Sequence, residues 1–379
     1  MCVAFITIGG VASSSSSTDD ADDAVVLAFN RDERLSRETL AAHAFPGEDI
    51  IAGKDVRGGG TWLGVNKNTG AFALLTNASV IGAREREGAD DDDDVMGDDS
   101  AVAAPSMMMM IGGEQQVGAR RASDGTPYRT RGELVTEYLR AECECVETYA
   151  KEVFERRFAY DAFNLIVGNH RGTAYYVGNR GDANHHGPMQ LRRGRVYGLA
   201  NDNLDAPGWI KVERGKAAME KILAERRADG GDAPRHFQPL EEAILRDVLH
   251  APFLDDDTSS SDGSRTYRQR YRAVECHPKH AKSAFVRAGE IPGAPDVVTR
   301  SSTVVVLARD GRASWREANW DPLHTNTASS GDDGRDSPSS SSEHRRAAAR
   351  VHAFVFRVPE TRRPKSLDRG PTSRRAFAA

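Results

Sequence analysis

Cysteine is scarce in this chain: Cys2, Cys143, Cys145 and Cys276 are all there is, and no two form a Cys-x-x-Cys pair. Neither a zinc site nor a disulfide framework is supported, so a reduced, intracellular protein is the expectation. Apolar residues are also few, at 39% against the roughly 45–50% of ordinary globular chains. The deficit is concentrated in low-complexity stretches, which leaves one domain of moderate size rather than the two or three that 379 residues would allow. No apolar run approaches the ~20 residues that a membrane helix needs. Positive charge is not in excess either: a net charge of −5 and a pI near 6.2 carry no electrostatic footprint for nucleic acid. The first apolar run lacks a basic leader and breaks at Gly9-Gly10, so it reads as a first strand and not as a signal peptide.

What the sequence does contain is organised around residues 24–37. An unalternating apolar run, Ala24 to Phe29, ends in Asn30-Arg31-Asp32-Glu33. Such a run predicts a strand covered on both faces, with charges held at the edge of the core. Solvated turn charges are the plainer alternative. Met1-Cys2 runs directly into Val3–Ile8, a further strand. Thr61–Val65 and Ala71–Leu75 read as a hairpin turning at 66–70, Phe163–Val167 and Thr173–Val177 as a strand pair, and Val196–Leu199 as a short strand. Asp310-Gly311 predicts a hairpin joining Thr303–Leu307 to Ala313–Glu317, and His352–Val358 is the last strand.

Helices fall in the middle. Thr130-x-x-Glu133 reads as a capping box opening a helix whose apolar face runs Leu134, Tyr138, Cys145, Tyr149 and Val153. Inside that helix Cys143 and Cys145 would point to different sides. Trp209–Arg226 is a second helix, and Pro239 starts a third through Leu249. Strands at both ends and helices between them predict an α+β fold with mainly antiparallel sheets. Four insertions, 13–23, 83–127, 255–265 and 324–349, and a basic tail, 359–379, read as disordered additions to a single domain spanning 2–358. The Met107–Met110 run lacks nearby His or Cys and reads as low-complexity filler instead of a soft-metal or haem box. His185-His186 has no companion at metal-ligand spacing, so no metal and no cofactor is expected.

Cys2, the NRDE run at 30–33, GGTWLGVN at 59–66, LLTN at 74–77, RGELV at 131–135, FNLIVGN at 163–169, YGLAN at 197–201 and TRSST at 299–303 occur in this order. Together they resemble the NRDE-motif family, also called the transport and Golgi organisation protein 2 family, from residue 2 to about residue 358. The resemblance implies the four-layer αββα sandwich of N-terminal-nucleophile hydrolases. It also implies a role in Golgi organisation and secretory traffic, with lipid or haem homeostasis attributed to relatives. The ligand would be a small acyl or apolar molecule, haem among them. The location would be the cytoplasm, in association with Golgi or mitochondria.

Two readings of Cys2 stand open. If initiator methionine is removed, Cys2 carries an α-amine of pKa about 7.7–8.0 that can take the thiol's own proton. Otherwise Cys2 is a buried apolar residue opening a strand. By analogy with cysteine-type amidohydrolases, Asp32 would orient the α-amine and Arg31 would lower the thiol pKa. Asn77 and Asn201 would serve an oxyanion, and Arg300 would be the distal arginine. The plain alternatives are turn positions for Asn77 and Asn201 and a surface charge for Arg300. Asn30, Glu33 and Trp62 are candidate ligand contacts, Trp62 being equally a core residue behind Gly59-Gly60. Ala200 stands where many family members carry serine, which removes a hydroxyl beside Asn201.

Overall fold

The computed structural model describes residues 2–9, 23–78, 125–141, 145–228, 236–251, 283–291, 294–320 and 350–359. The four insertions for the most part, the tail beyond Pro359, the Met107–Met110 run, Cys143 and Cys276 lie outside them.

Two antiparallel sheets stack face to face. The first has six strands: β1 (Val3–Ile8), β2 (Asp23–Arg34), β10 (Val196–Leu199), β11 (Val297–Ala308), β12 (Arg312–Asn319) and β13 (Arg350–Arg357), in the spatial order β10-β1-β2-β11-β12-β13. The second has seven in sequence order: β3 (Thr39–Ala44), β4 (Ile50–Asp55), β5 (Leu63–Asn66), β6 (Ala71–Asn77), β7 (Phe163–Asn169), β8 (Ala174–Gly178) and β9 (Met189–Gln190). Strands β3, β4 and β9 had no clear signal in the sequence, because their apolar positions are few and mixed with Gly, Lys and His.

The period-2 rule explains the layering. Along β2, Val25, Leu27 and Phe29 enter the core between the sheets, whereas Val26 and Ala28 enter a second core on the outer face. β11 divides in the same way, with Val305 and Leu307 inside and Val304, Val306 and Ala308 outside. The outer face of the six-stranded sheet is covered by α4 (Ile210–Ala228), α5 (Gln238–Ile244) and the π-turn Leu245–Leu249 that continues α5. The outer face of the seven-stranded sheet is covered by α1 (Gly132–Arg140) and α2 (Val146–Glu155). A short helix, α3 (Ala183–His186), follows β8. The order of layers is thus helix, sheet, sheet, helix, the α+β sandwich expected. Each fully buried Leu or Phe in these cores contributes roughly 1.5–3 kcal/mol.

Three local expectations are corrected. The NRDE run does not lie beyond its strand: β2 continues to Arg34, because β11 pairs with it as far as Val297↔Arg34. The helix over 130–153 is two helices, α1 and α2, and Cys145 immediately precedes the second. Thr130 does not cap α1. Its hydroxyl donates to the Gly58 carbonyl at 3.3 Å, and Arg131 takes the N-cap position with no side-chain bond. The reason is a close backbone approach: a Cβ on Gly60 would lie 2.4 Å from the Gly132 carbonyl carbon, so the helix start is pinned to the Gly58–Gly60 turn.

Candidate functional site

Strand pairing builds the site. β1 lies between β10 and β2, with Ala4 opposite Leu199 and Val3 opposite Asn30. Cys2 therefore opens β1 where β10 runs out into Ala200-Asn201 and β2 into Arg31-Asp32. One strand further, Ser301 of β11 pairs directly with Arg31 on one side and Asn319 on the other. Strand order thus brings Asn201, Cys2, Arg31 and Ser301 to one end of the six-stranded sheet.

Alternation splits the NRDE run between two faces. Arg31 points inward, toward the seven-stranded sheet. Its guanidinium lies 4.2 Å from the Trp62 ring centroid, donates to Thr39 Oγ1 at 3.1 Å and approaches Asp55 and Glu33 at 3.8 and 3.7 Å. Cys2 packs against the same inter-sheet core. Asn30 and Asp32 point outward. Asn30 donates to the carbonyls of Leu249 and Ala284 at 2.8 and 2.7 Å, which ties the end of the π-turn and the 283–286 segment to the sheet. Asp32 accepts from Thr299 Oγ1 at 2.6 Å.

Burial sets the electrostatics. It pushes the Cys2 thiol up, against the opposing pull of the amino-terminal charge and Arg31, while Asp32 adds to the rise. Arg31 does act in the direction expected of it, but desolvation is the larger effect. Cys2 Sγ donates weakly to the Asp32 carbonyl at 4.0 Å. The Asp32 carboxyl is likewise raised by burial, with the amino-terminal charge, Lys211 and Thr299 opposing. On the inner face Asp55 goes the other way. Burial would raise it, but Arg37, the Gly58 N–H and Arg31 together hold it below the usual carboxylate range.

Asn201 is buried and crosses between the sheets, its amide donating to the Asn77 carbonyl at 2.7 Å. Thr76 makes a parallel crossing to the Ala200 carbonyl at 2.8 Å, supported by Asn164 at 3.3 Å. Asn77 enters through this carbonyl and leaves its own side chain exposed. Arg300 occupies a bulge between Thr299 and Ser301 and donates to the carbonyls of Arg34, Leu35 and Arg37. It braces the β2–β3 turn, neither touching Cys2 through any of these bonds nor lying free on the surface. Trp62 is buried in the inter-sheet core, and a Cβ on Gly53 would lie 2.5 Å from its ring. Glu33 is half-buried and accepts from the Arg34 N–H.

Sequence reasoning missed Thr39, Asp55, Thr299, Ser301 and Lys211. Asp55 had one legible signal, its place just before Arg57-Gly58-Gly59-Gly60, where a carboxylate can accept turn N–H groups. Lys211 had none, since its burial is set by the packing of α4 on strands remote in sequence. Among the described residues no helix is long and apolar enough to cross a membrane.

Fold and site define a four-layer α+β sandwich with a cysteine at one end of the core between its two sheets. Comparison of sequences then places the protein: it belongs to the Transport and Golgi organisation 2 family, whose model matches residues 1–97 and 114–322. It is 27% identical over 301 residues to a Transport and Golgi organization protein 2 homolog from Bos taurus, covering 77% of this chain and 85% of that protein.

Proposed function

We propose that this protein acts in transport and Golgi organisation by binding a small acyl or apolar ligand at the inter-sheet mouth. One observation carries the reading: Asn201 Oδ1 and Ser301 Oγ are buried and have no hydrogen-bond partner among the described residues. They flank Cys2 and Arg31 in the strand order. A buried polar atom left unbonded costs about 1–3 kcal/mol, which a ligand's polar head would recover. The apolar remainder of the ligand would lie against the inter-sheet core near Trp62. Lipid or haem homeostasis, and work from the cytoplasm at Golgi or mitochondrial membranes, belong to the same proposal. Titration of the full chain with a fluorescent long-chain fatty acid, and separately with haemin, tests it. Ser301→Ala should weaken binding about tenfold while leaving the fold at least as stable. Absence of binding, or an S301A affinity equal to that of the parent, sinks the idea.

A second reading, a cysteine amidohydrolase, is favoured by the place of Cys2 beside Asp32 and Arg31. In a chain starting at Cys2, the α-amine would take the thiol proton as sulfur adds to an amide carbonyl. It would return that proton to the departing amine, and water would then cleave the thioester. Intact mass before and after brief iodoacetamide treatment decides. Retained Met1 with a slow Cys2 rules this chemistry out.

A further inference from the structure

The edge of the six-stranded sheet is treated differently from its centre. On the outer face of β12, Ser314 and Arg316 donate to Glu241 and so hold α5 over that strand, Arg316 Nε at 3.0 Å. Val355 and Ala353 of β13 pair with those two residues and share their face. There Val355 is 85% exposed and Val351 54%. On the inner face Phe354 and Phe356 pack against the core between the sheets. β13 is the last strand in its sheet and runs from Arg350 to Arg357 without proline, glycine or a carboxylate. A long edge strand with an apolar exposed face is a template for pairing with another strand.

The pattern of β13 identifies what fits there. A strand docked antiparallel must set apolar side chains at alternate positions on the outer face, and β13 carries such a set itself. A two-fold axis at Ala353 places Val351 opposite Val355 of a second copy and Ala353 opposite its own counterpart. On the inner face it places His352 opposite Phe354 and Arg350 opposite Phe356, so no two cations meet. An axis at His352 would oppose two histidines, and one at Phe354 would set Arg357 against Val351. An acidic peptide would find arginine only at the strand ends, with valine and alanine between. We propose that β13 is a homodimer interface, at which a second copy of this chain pairs edge to edge and joins the two sheets into one.

The test is sedimentation velocity of the full chain from about 1 to about 100 µM, over which the parent should pass from monomer to dimer. Val355→Lys breaks both Val–Val pairs at once and faces solvent in a single copy. It should raise the dissociation constant about tenfold or more, with thermal unfolding unchanged. Disulfide trapping in a Cys145→Ser background reads the register. Ala353→Cys should give a covalent dimer mapped to that position, whereas Val355→Cys, whose counterpart lies about four residues along the paired strand, should not. A parent that is monomeric at about 100 µM, a V355K that dimerises like the parent, or V355C trapping as readily as A353C overturns the proposal. Edge amides of β13 that resist hydrogen exchange in the monomer overturn it too, because another segment then occupies the edge.

Discussion

The inner and outer faces of β2 at the mouth carry adjacent residues of one strand, yet they treat charge in opposite ways. On the inner face Arg31 and Asp55 belong to a group that also includes Arg37, Thr39 and the Gly58 N–H, and the carboxylate is held low. On the outer face Asp32 is buried beside Thr299, and burial holds its carboxyl high despite the amino-terminal charge, Lys211 and Thr299. A carboxylate's direction of shift is decided by how many donors offset its desolvation, not by its place in a motif.

The largest test of this contrast is Asn30→Ala on the outer face. It strands two buried carbonyls, at Leu249 and Ala284, and should cost about 3 kcal/mol in denaturant unfolding. A loss below about 1 kcal/mol would show that the helix layer does not depend on this pin. On the inner face, Arg31→Met leaves Asp55 still bonded to Arg37 and retains much of the packing on Trp62. The expected loss is smaller, about 1–2 kcal/mol.

The pH dependence sharpens the comparison, because the signs oppose. Asp32 has a raised folded pKa, so its stabilising contribution is complete below the unfolded value of about 3.9 and is lost as pH rises through the folded value. The parent should therefore lose stability relative to Asp32→Asn as pH rises from 3.5 toward 7. Asp55 has a lowered folded pKa, so its contribution is present above about 3.9 and is lost as pH falls through the folded value. Asp55→Asn should consequently be penalised at pH 7 and converge on the parent in acid. Thermal unfolding of both variants across this range checks the pair, and parallel slopes would break the contrast.

The smallest expected effect is at Cys145, the exposed residue before α2. Its thiol is lowered, chiefly by hydrogen bonds from Thr148, whereas burial raises Cys2. Cys145→Ser should change stability by less than about 0.5 kcal/mol. Iodoacetamide should nevertheless reach Cys145 before Cys2 at neutral pH. If Cys2 reacts first, the mouth is more open, or its thiol more activated, than its burial implies.

The sequence by itself determined much of this protein. The unbroken apolar run Ala24–Phe29 announced a strand covered on both faces, because alternation is lost when both faces are dry. Asp310-Gly311 marked its hairpin, and Pro239 the start of α5, because turn and helix-start chemistry is local. The NRDE run and the motifs after it identified the family. Only the tertiary structure decided what the motif residues touch. Pairing with β11 drew Asn30–Arg34 into the strand, and strand alternation then sent Asn30 and Asp32 to the helix layer and Arg31 to the other sheet. Arg300 was drawn to the carbonyls of the β2–β3 turn, and Thr299 to the Asp32 carboxyl on a strand 267 residues earlier in the chain. Such partners are set by register and packing between remote segments, and no local pattern in the sequence records them.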